Sequence, residues 1–317
     1  MKVAFFGTSD RSIPILESLK KNFELVLCVT KDDVKVGRHQ ILKEVEVKKW
    51  AKNNRVNFLT IDYMNVGMTE KIISTLKFQS VEIGIVADFS YIIPESVINI
   101  PKYKLVNIHF SLLPKYRGAS PVQFAILNGD KSTGITVYIV DKGLDTGKII
   151  FQKEFELVES ENSRELYRRL FNEAALELPR VIIDYTKGTI KPKRQNENNA
   201  TYTFSKTNPK TTFILKEDAL INWDETAEKN YRVIKAFNPW PIAWTYLREL
   251  KNKRTKELLN IPKYTLRTGK SENIKIKIYD AKQENGRLKI LELQVEGGKK
   301  ISWGDFLNGY FEKKTEN

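Results

Sequence analysis

The chain is short of the residues most often used for nucleophilic and metal chemistry. Its 317 residues hold one cysteine and two histidines. A single thiol makes no intramolecular disulfide, and one Cys with two His offers no evident zinc site, so no metal is expected. No apolar run approaches the roughly 20 residues that span a bilayer. Residues 1–7 read as a first strand rather than a secretory signal, because the apolar stretch is short and lacks a cleavage site. A cytoplasmic, monomeric protein with no membrane partner is expected, and there the Asn199-Ala200-Thr201 sequon has no use. No GxGxxG follows the first strand, which argues against a nicotinamide cofactor. No internal repeat is visible.

What the chain has in excess is positive charge. Lys and Arg number 53 against 39 Asp and Glu, a net +14. Basic chains of this size often meet nucleic acid or anionic surfaces, although a lysine-rich proteome would raise the figure everywhere. The excess is denser from residue 201 onward, where 23 Lys and Arg face 15 Asp and Glu. That distribution favours a localised polyanion contact. The length allows two domains with real cores.

The opening of the chain sets an architecture. Residues 2–6 form a strand, Gly7-Thr8-Ser9-Asp10 a turn, 13–19 a helix with Pro14 in its first turn, and 25–29 a second strand. This order predicts a doubly wound α/β domain. Residues 31–48 read as a charged surface loop, 69–76 as a helix and 81–86 as a buried strand. Asn162 and Glu165 make a capping-box start to a helix reaching about residue 185, which Pro179 should kink. The stretch 188–210, polar and basic, reads as a linker. Beyond it, a helix over 226–236 precedes AFNPWPIAW. Its Phe237, Trp240 and Trp244 read as core residues of a small β domain rather than a base-stacking platform. Alternating stretches near the C-terminus supply strands of an OB-like barrel. The expected divisions are 1–188, a linker over 189–206, and 207–317.

Residues 106–147 carry nearly all the chemistry: VNIHFSLLPKYRGASPVQFAILNGDKSTGITVYIVDKGLDTG. Asn107 and His109 stand two apart in an apolar run, which puts both side chains on one face of a strand. Ser120-Pro121 opens a helix, with Ser as N-cap, and Gly129 closes it. A β-branched run, 135–140, returns to the sheet and empties into a glycine-rich turn carrying Asp141 and Asp145. If the two strands are neighbours, an amide, an imidazole and a carboxylate meet. The imidazole can take or hold a proton, the carboxylate can orient it, and the amide can donate to a developing oxyanion. Such a set suits acyl transfer by direct attack of a substrate amine, since the sole cysteine, Cys28, lies far off in an apolar strand. Each residue also has a plainer reading. A His on a strand is commonly structural, an Asp in such a turn commonly forms the turn, and spacing alone does not join Asp145 to His109.

The patterns NxHxSLLPxYRGxxPxxxAIxxG and GxTxxxxDxGLDTG, in that order, closely resemble the folate-dependent formyltransferase family. The resemblance implies a Rossmann-like doubly wound mixed sheet, the formyltransferase fold, followed by the smaller OB-like domain. It implies Asn107, His109 and Asp145 as the catalytic set and 10-formyltetrahydrofolate as formyl donor. On the folate side it implies Ser111, Leu112, Leu113, Pro114 and Asp141, with Phe89, Ser90 and Ile92 in a segment that holds the pterin through backbone groups. That segment departs from the family's AYGxILP, reading ADFSYIIP here, so a tyrosine hydroxyl is lost. AFNPWP and the loop bearing Gly37 and Arg38 are similar to the branch acting on methionyl-tRNA. The branch implies initiator tRNA as acceptor, with Arg38 on a phosphate or base edge and Lys191, Lys193 and Arg194 as further tRNA contacts. Within that loop, His39-Gln40-Ile41 and Glu44-Val45-Glu46 stand where the branch has further lysines and a Pro-Ser-Pro run. Two rivals share features: a formyltransferase of the same fold acting on a nucleotide-linked amino sugar, and a noncatalytic RNA-binding protein using the C-terminal barrel alone.

Overall fold

Contacts in the computed structural model, which describes residues 1–36, 40–261, 264–267 and 271–313, gather the chain into two units. The first comprises Met1–Gly118, Thr133–Phe155 and Tyr167–Tyr202; the second comprises Ala119–Ser132, Glu156–Leu166 and Thr203–Asn317.

As far as the second strand of the central motif, the elements are β1 (Lys2–Phe6), α1 (Ile13–Asn22), β2 (Glu24–Lys31), β3 (Val34–Val36), β4 (Ile41–Lys43), α2 (Glu46–Asn53), β5 (Asn57–Ile61), α3 (Val66–Phe78), β6 (Ile83–Val86), α4 (Glu95–Ile98), β7 (Leu105–His109), α5 (Pro121–Asn128) and β8 (Ser132–Ile139). Next come β9 (Ile149–Glu156) and the long α6 (Ser163–Thr186). Seven strands form one sheet in the order β5-β2-β1-β6-β7-β8-β9. The first five of these run parallel, and β8 turns antiparallel against β7. Central strands buried on both faces read as continuous apolar runs, and KVAFF and IGIV are of that kind. The strand order reverses between β1 and β6, the place where open α/β sheets form a ligand crevice. The expected mixed, Rossmann-like sheet is present.

One expectation changes in this unit. The stretch 31–48 holds a β3–β4 hairpin, Val34 opposite Lys43 and Val36 opposite Ile41. Its foot is tied by Asp33, which pairs with Lys48 at 2.7 Å and accepts the Val45 N–H. Helix α6 reaches Thr186, close to the expected end, and contains Pro179. Proline has no N–H for the carbonyl one turn back. The Ser18 hydroxyl supplies that donor instead, 2.5 Å from the Ala175 oxygen.

The second unit carries the capping box as expected: Glu165 N–H donates to Asn162 Oδ1, and Asn162 N–H to Glu165 Oε2. It adds α7 (Ala227–Ala236), β10 (Ala243–Tyr246), α8 (Lys253–Leu258), β11 (Tyr264–Leu266), β12 (Lys275–Glu284), β13 (Arg287–Val295), β14 (Lys300–Ser302), α9 (Trp303–Tyr310) and β15 (Phe311–Lys313). The order β10-β12-β13-β14 makes an antiparallel sheet, and β11 pairs with β15 in a separate ribbon. Trp223, Ile234, Leu247, Ile276, Leu293 and Phe306 lie in its core. Phe237 is buried, but Trp240 is half exposed. Trp244 alternates outward from buried Ala243 and Thr245, with the Lys275 ammonium 3.9 Å above its ring. Helix α5 packs against α7 in this unit. Ser120 occupies its N-cap place, but its side chain makes no cap; its hydroxyl donates to the Thr212 carbonyl. Gly129, at φ +67, ends the helix as expected, and the Arg232 guanidinium sits where any Cβ would stand.

Candidate active site

The β7–β8 register sets Asn107 opposite Tyr138 and His109 opposite Thr136. Opposed residues on paired strands share a face, so the neighbour condition posed by the sequence is met. Asn107 Nδ2 donates to Tyr138 Oη at 3.0 Å, and that hydroxyl donates to Asp145 Oδ1 at 2.6 Å. The second carboxylate oxygen accepts the Gly118 N–H at 2.6 Å and stands 3.6 Å from His109 Nδ1. His109 Nε2 lies 2.9 Å from the Tyr116 carbonyl. A carbonyl only accepts, so Nε2 carries a hydrogen and Nδ1 is the nitrogen that faces Asp145. When the ring gains a second proton, Asp145 is its counter-ion. His109 and Tyr138 are both buried, where such pairing is stronger than in water. Burial first, and then the Asp145 and Asp141 charges, hold the Tyr138 phenol well above its ordinary pKa, so it stays protonated.

How Asp145 reaches His109 is a matter of the turn. Ile139 lies opposite Val106, so β8 leaves the sheet at the end away from His109. The turn DKGLDTG folds back over the face. Gly147 permits this, since a Cβ there would stand 1.7 Å from the Ile139 carbonyl oxygen. Asp145 itself adopts φ +55, a region that Asp enters more readily than most residues.

A second layer of residues, which the sequence did not point to, grips the same turn. Gln195 Nε2 donates to the Asp145 and Gly147 carbonyls, both at 2.8 Å. Its Oε1 accepts from Arg117, which is fully buried and also holds the Glu197 carboxylate through both terminal nitrogens. The Glu197 hydrogen bonds keep that guanidinium charged in spite of its burial. Thr201 N–H donates to Pro114 O, and Arg117 N–H to Thr201 O; Lys193 and Ile149 exchange both backbone bonds. Residues 193–201, read from sequence as part of a linker, are therefore bonded along the first unit. Tyr138 had a weak signal, its period-2 spacing from Thr136; Gln195 and Glu197 had none.

The residues assigned to folate by resemblance fall on three loops. After β7, Ser111 is buried and donates to Lys115 O, Leu113 N–H donates to Thr136 Oγ1, and Leu113 O accepts from Gln152; Leu112 and Pro114 are half-buried. After β6, Phe89 packs edge-on against Phe6, Ser90 Oγ lies 2.7 Å from Thr8 Oγ1, and Ile92 is exposed. Asp141 lies in the same turn as Asp145, where it accepts from Gly143 N–H and the Thr146 hydroxyl. Of the residues assigned to tRNA, Lys191, Lys193 and Arg194 are exposed, whereas Arg38 lies outside the described residues. Cys28 is buried, which pushes its thiol up to about 12 and leaves it unfit as a nucleophile. Among the described residues no His, Cys, Asp and Glu side chains gather into a metal site, and no helix is long and apolar enough to cross a membrane.

A mixed Rossmann-like sheet that sets a histidine 3.6 Å from an aspartate, with an asparagine joined to the same carboxylate through a tyrosine, defines the α/β class to which this chain is compared. Comparison with known proteins narrows the class. A profile described as formyl transferase matches residues 1–182, and one described as formyl transferase, C-terminal domain, matches 214–311. The chain belongs to the formyl transferase family. The methionyl-tRNA formyltransferase of Clostridium acetobutylicum is 32% identical over 312 residues, covering 98% of this chain and 96% of that one. That of Bacillus subtilis is 35% identical over 248 residues, 78% of this chain and 74% of its own. Among solved structures, methionyl-tRNA formyltransferase from Clostridium thermocellum matches with a TM-score of 0.58 at 19% identity, covering 94% of this chain and all of that one. An N-formyltransferase from Helicobacter canadensis, solved with folinic acid and dTDP-3-aminofucose, matches with a TM-score of 0.59 at 21% identity, 95% of this chain and all of its own. These two likenesses show the fold.

Proposed function

We propose that this protein transfers the formyl group of 10-formyltetrahydrofolate to the α-amino nitrogen of methionine esterified to initiator tRNA. One observation carries the chemistry: His109 faces Asp145 across 3.6 Å, with Asn107 tied to the same carboxylate through Tyr138. The folate supplies an activated formyl group when bound. Asn107 gives one amide hydrogen to Tyr138, and the other serves the formyl oxygen as negative charge develops there, worth about 3 kcal/mol in comparable sites. His109 takes the proton that the attacking amine sheds, Asp145 stabilises the resulting imidazolium, and His109 returns that proton to the folate nitrogen as the bond between that nitrogen and the formyl carbon breaks and tetrahydrofolate leaves. No covalent enzyme intermediate is needed.

Ser111, Leu112, Leu113, Pro114, Phe89, Ser90, Ile92 and Asp141 hold the folate in this reading. Residues 1–188 form the catalytic domain, 189–206 the connection and 207–317 a tRNA-binding domain, with Lys191, Lys193 and Arg194 on tRNA phosphates. The fold is shared with an enzyme whose complex contains a sugar nucleotide, so it does not select the acceptor. Two other supports do: relatives at 32–35% identity that are methionyl-tRNA formyltransferases, and a net charge of +14 that suits a polyanion better than a small nucleotide.

The test is transfer of labelled formyl from 10-formyltetrahydrofolate onto charged initiator and elongator tRNA. Initiator tRNA is expected to be labelled far faster. His109→Ala and Asp145→Asn are each expected to lower kcat by about 100-fold or more, with tRNA affinity within about twofold. Label on a nucleotide-linked amino sugar and not on tRNA would overturn the acceptor, and wild-type turnover in either variant would overturn the catalytic assignment.

A further inference from the structure

We propose that Tyr138 is a positioning residue that sets which way round the Asn107 amide stands, by passing hydrogen-bond direction from the Asp145 carboxylate to it. The proposal rests on the reading of Asn107 as the donor to the formyl oxygen. A phenol has one hydrogen to give, whereas an ionised carboxylate only accepts. At 2.6 Å the Tyr138 hydrogen therefore goes to Asp145 Oδ1. Its oxygen is then an acceptor toward Asn107, and at 3.0 Å the amide end that satisfies it is Nδ2. The chain has a single direction, from Asn107 N–H to Tyr138 O–H to Asp145.

That direction matters because the two ends of a side-chain amide are nearly equal in shape. Turned over, Asn107 would show a carbonyl to the substrate oxygen and repel the charge it is meant to receive. A donor preorganised at that spot is typically worth about 100-fold in rate. The relay is built into the fold at both ends. Tyr138 lies directly opposite Asn107 in the β7–β8 register. Glycine at 147 lets the turn close over the ring, since a Cβ would come within 2.9 Å of Tyr138 Cδ2. The turn brings Asp141 and Asp145 toward the phenol, and β7 brings His109 to the far oxygen of Asp145. Burial and the two aspartates keep the phenol protonated, so it acts as a fixed donor and not as a base.

Tyr138→Phe keeps the ring and removes the relay. Its kcat is expected to fall about 10- to 100-fold, with KM for both substrates within about twofold. A double variant, Asn107→Ala with Tyr138→Phe, is expected to be no slower than Asn107→Ala alone, since the tyrosine acts through the amide. Wild-type kcat in Tyr138→Phe, or a full multiplicative loss in the double variant, would overturn the proposal. A measurement on the unaltered protein does not depend on how the variant folds. In 15N-asparagine-labelled enzyme, one Asn107 side-chain amide hydrogen should exchange slowly with solvent and the other fast; two fast hydrogens would sink the relay. His109→Ala, assayed alongside, separates the outcomes: if it turns over at the wild-type rate, the formyl-transfer site itself is wrongly assigned.

Discussion

Both oxygens of the Asp145 carboxylate face a donor or His109, and that fixes where the carboxylate stands. Oδ1 is taken by Tyr138, and Oδ2 by the Gly118 N–H and the imidazole. A carboxylate used in the same manner for stability is Asp218 in the second unit. It accepts the Leu215 and Thr207 N–H groups and the Ser205 and Thr207 hydroxyls. Burial alone would raise its pKa, but these donors outweigh burial and lower it. A depressed folded-state pKa contributes stability above the unfolded value, about 3.9 for Asp, and that stability is lost as pH falls through the folded value. Asp218→Asn is expected to destabilise the protein by about 1–2 kcal/mol at pH 7, with the difference from wild type narrowing below about pH 4. Denaturant midpoints at pH 7 and pH 3 check it.

The DKGLDTG turn is the element on which the site depends, because it carries Asp145 back over a strand that has already led the chain away. Gly147→Ala places a methyl group against the Ile139 carbonyl oxygen, 1.7 Å from the ideal Cβ. The backbone must then lift, and Asp145 lifts with it. We expect kcat to fall by at least about 10-fold, since displacements near 1 Å at a reacting centre can cost that much or more; steady-state kinetics with a thermal melt would register both the loss and any unfolding. Gln195 and Arg117 brace this turn from behind. That bracing explains why a stretch as polar as KPKRQNENN is ordered here: its backbone and amide groups find partners in the first unit instead of water.

For the whole molecule the governing quantity is charge. A net +14, denser after residue 200, implies that tRNA binding releases counter-ions. Between 50 and 200 mM salt, affinity for charged tRNA is expected to drop by about 10-fold or more, the loss that even a few neutralised phosphates produce. Filter binding across that range tests it; a flat response would assign the affinity to uncharged contacts. The apolar hairpin residues Ile41 and Leu42, largely exposed, add surface in the stretch read from sequence as a charged loop. Only VKV alternates there, and its pairing with ILK rests on backbone hydrogen bonds between the two strands rather than on a local pattern.

Local pattern was enough for much of this protein. Period-2 spacing placed Asn107 and His109 on one face, apolar runs marked the central strands, and glycine-rich chemistry marked the turn, because each is a property of residues a few positions apart. What sequence left conditional was whether β7 and β8 are neighbours, and tertiary pairing decided it by setting Tyr138 opposite Asn107. It likewise decided that Gln195, 50 positions from Asp145, holds its carbonyl, and that α5 packs with α7 far along the chain. A hydrogen bond or a packed face between distant residues leaves no periodic trace in the chain. It exists only once backbone pairing has brought them within reach, and there lies the limit of what one sequence can say.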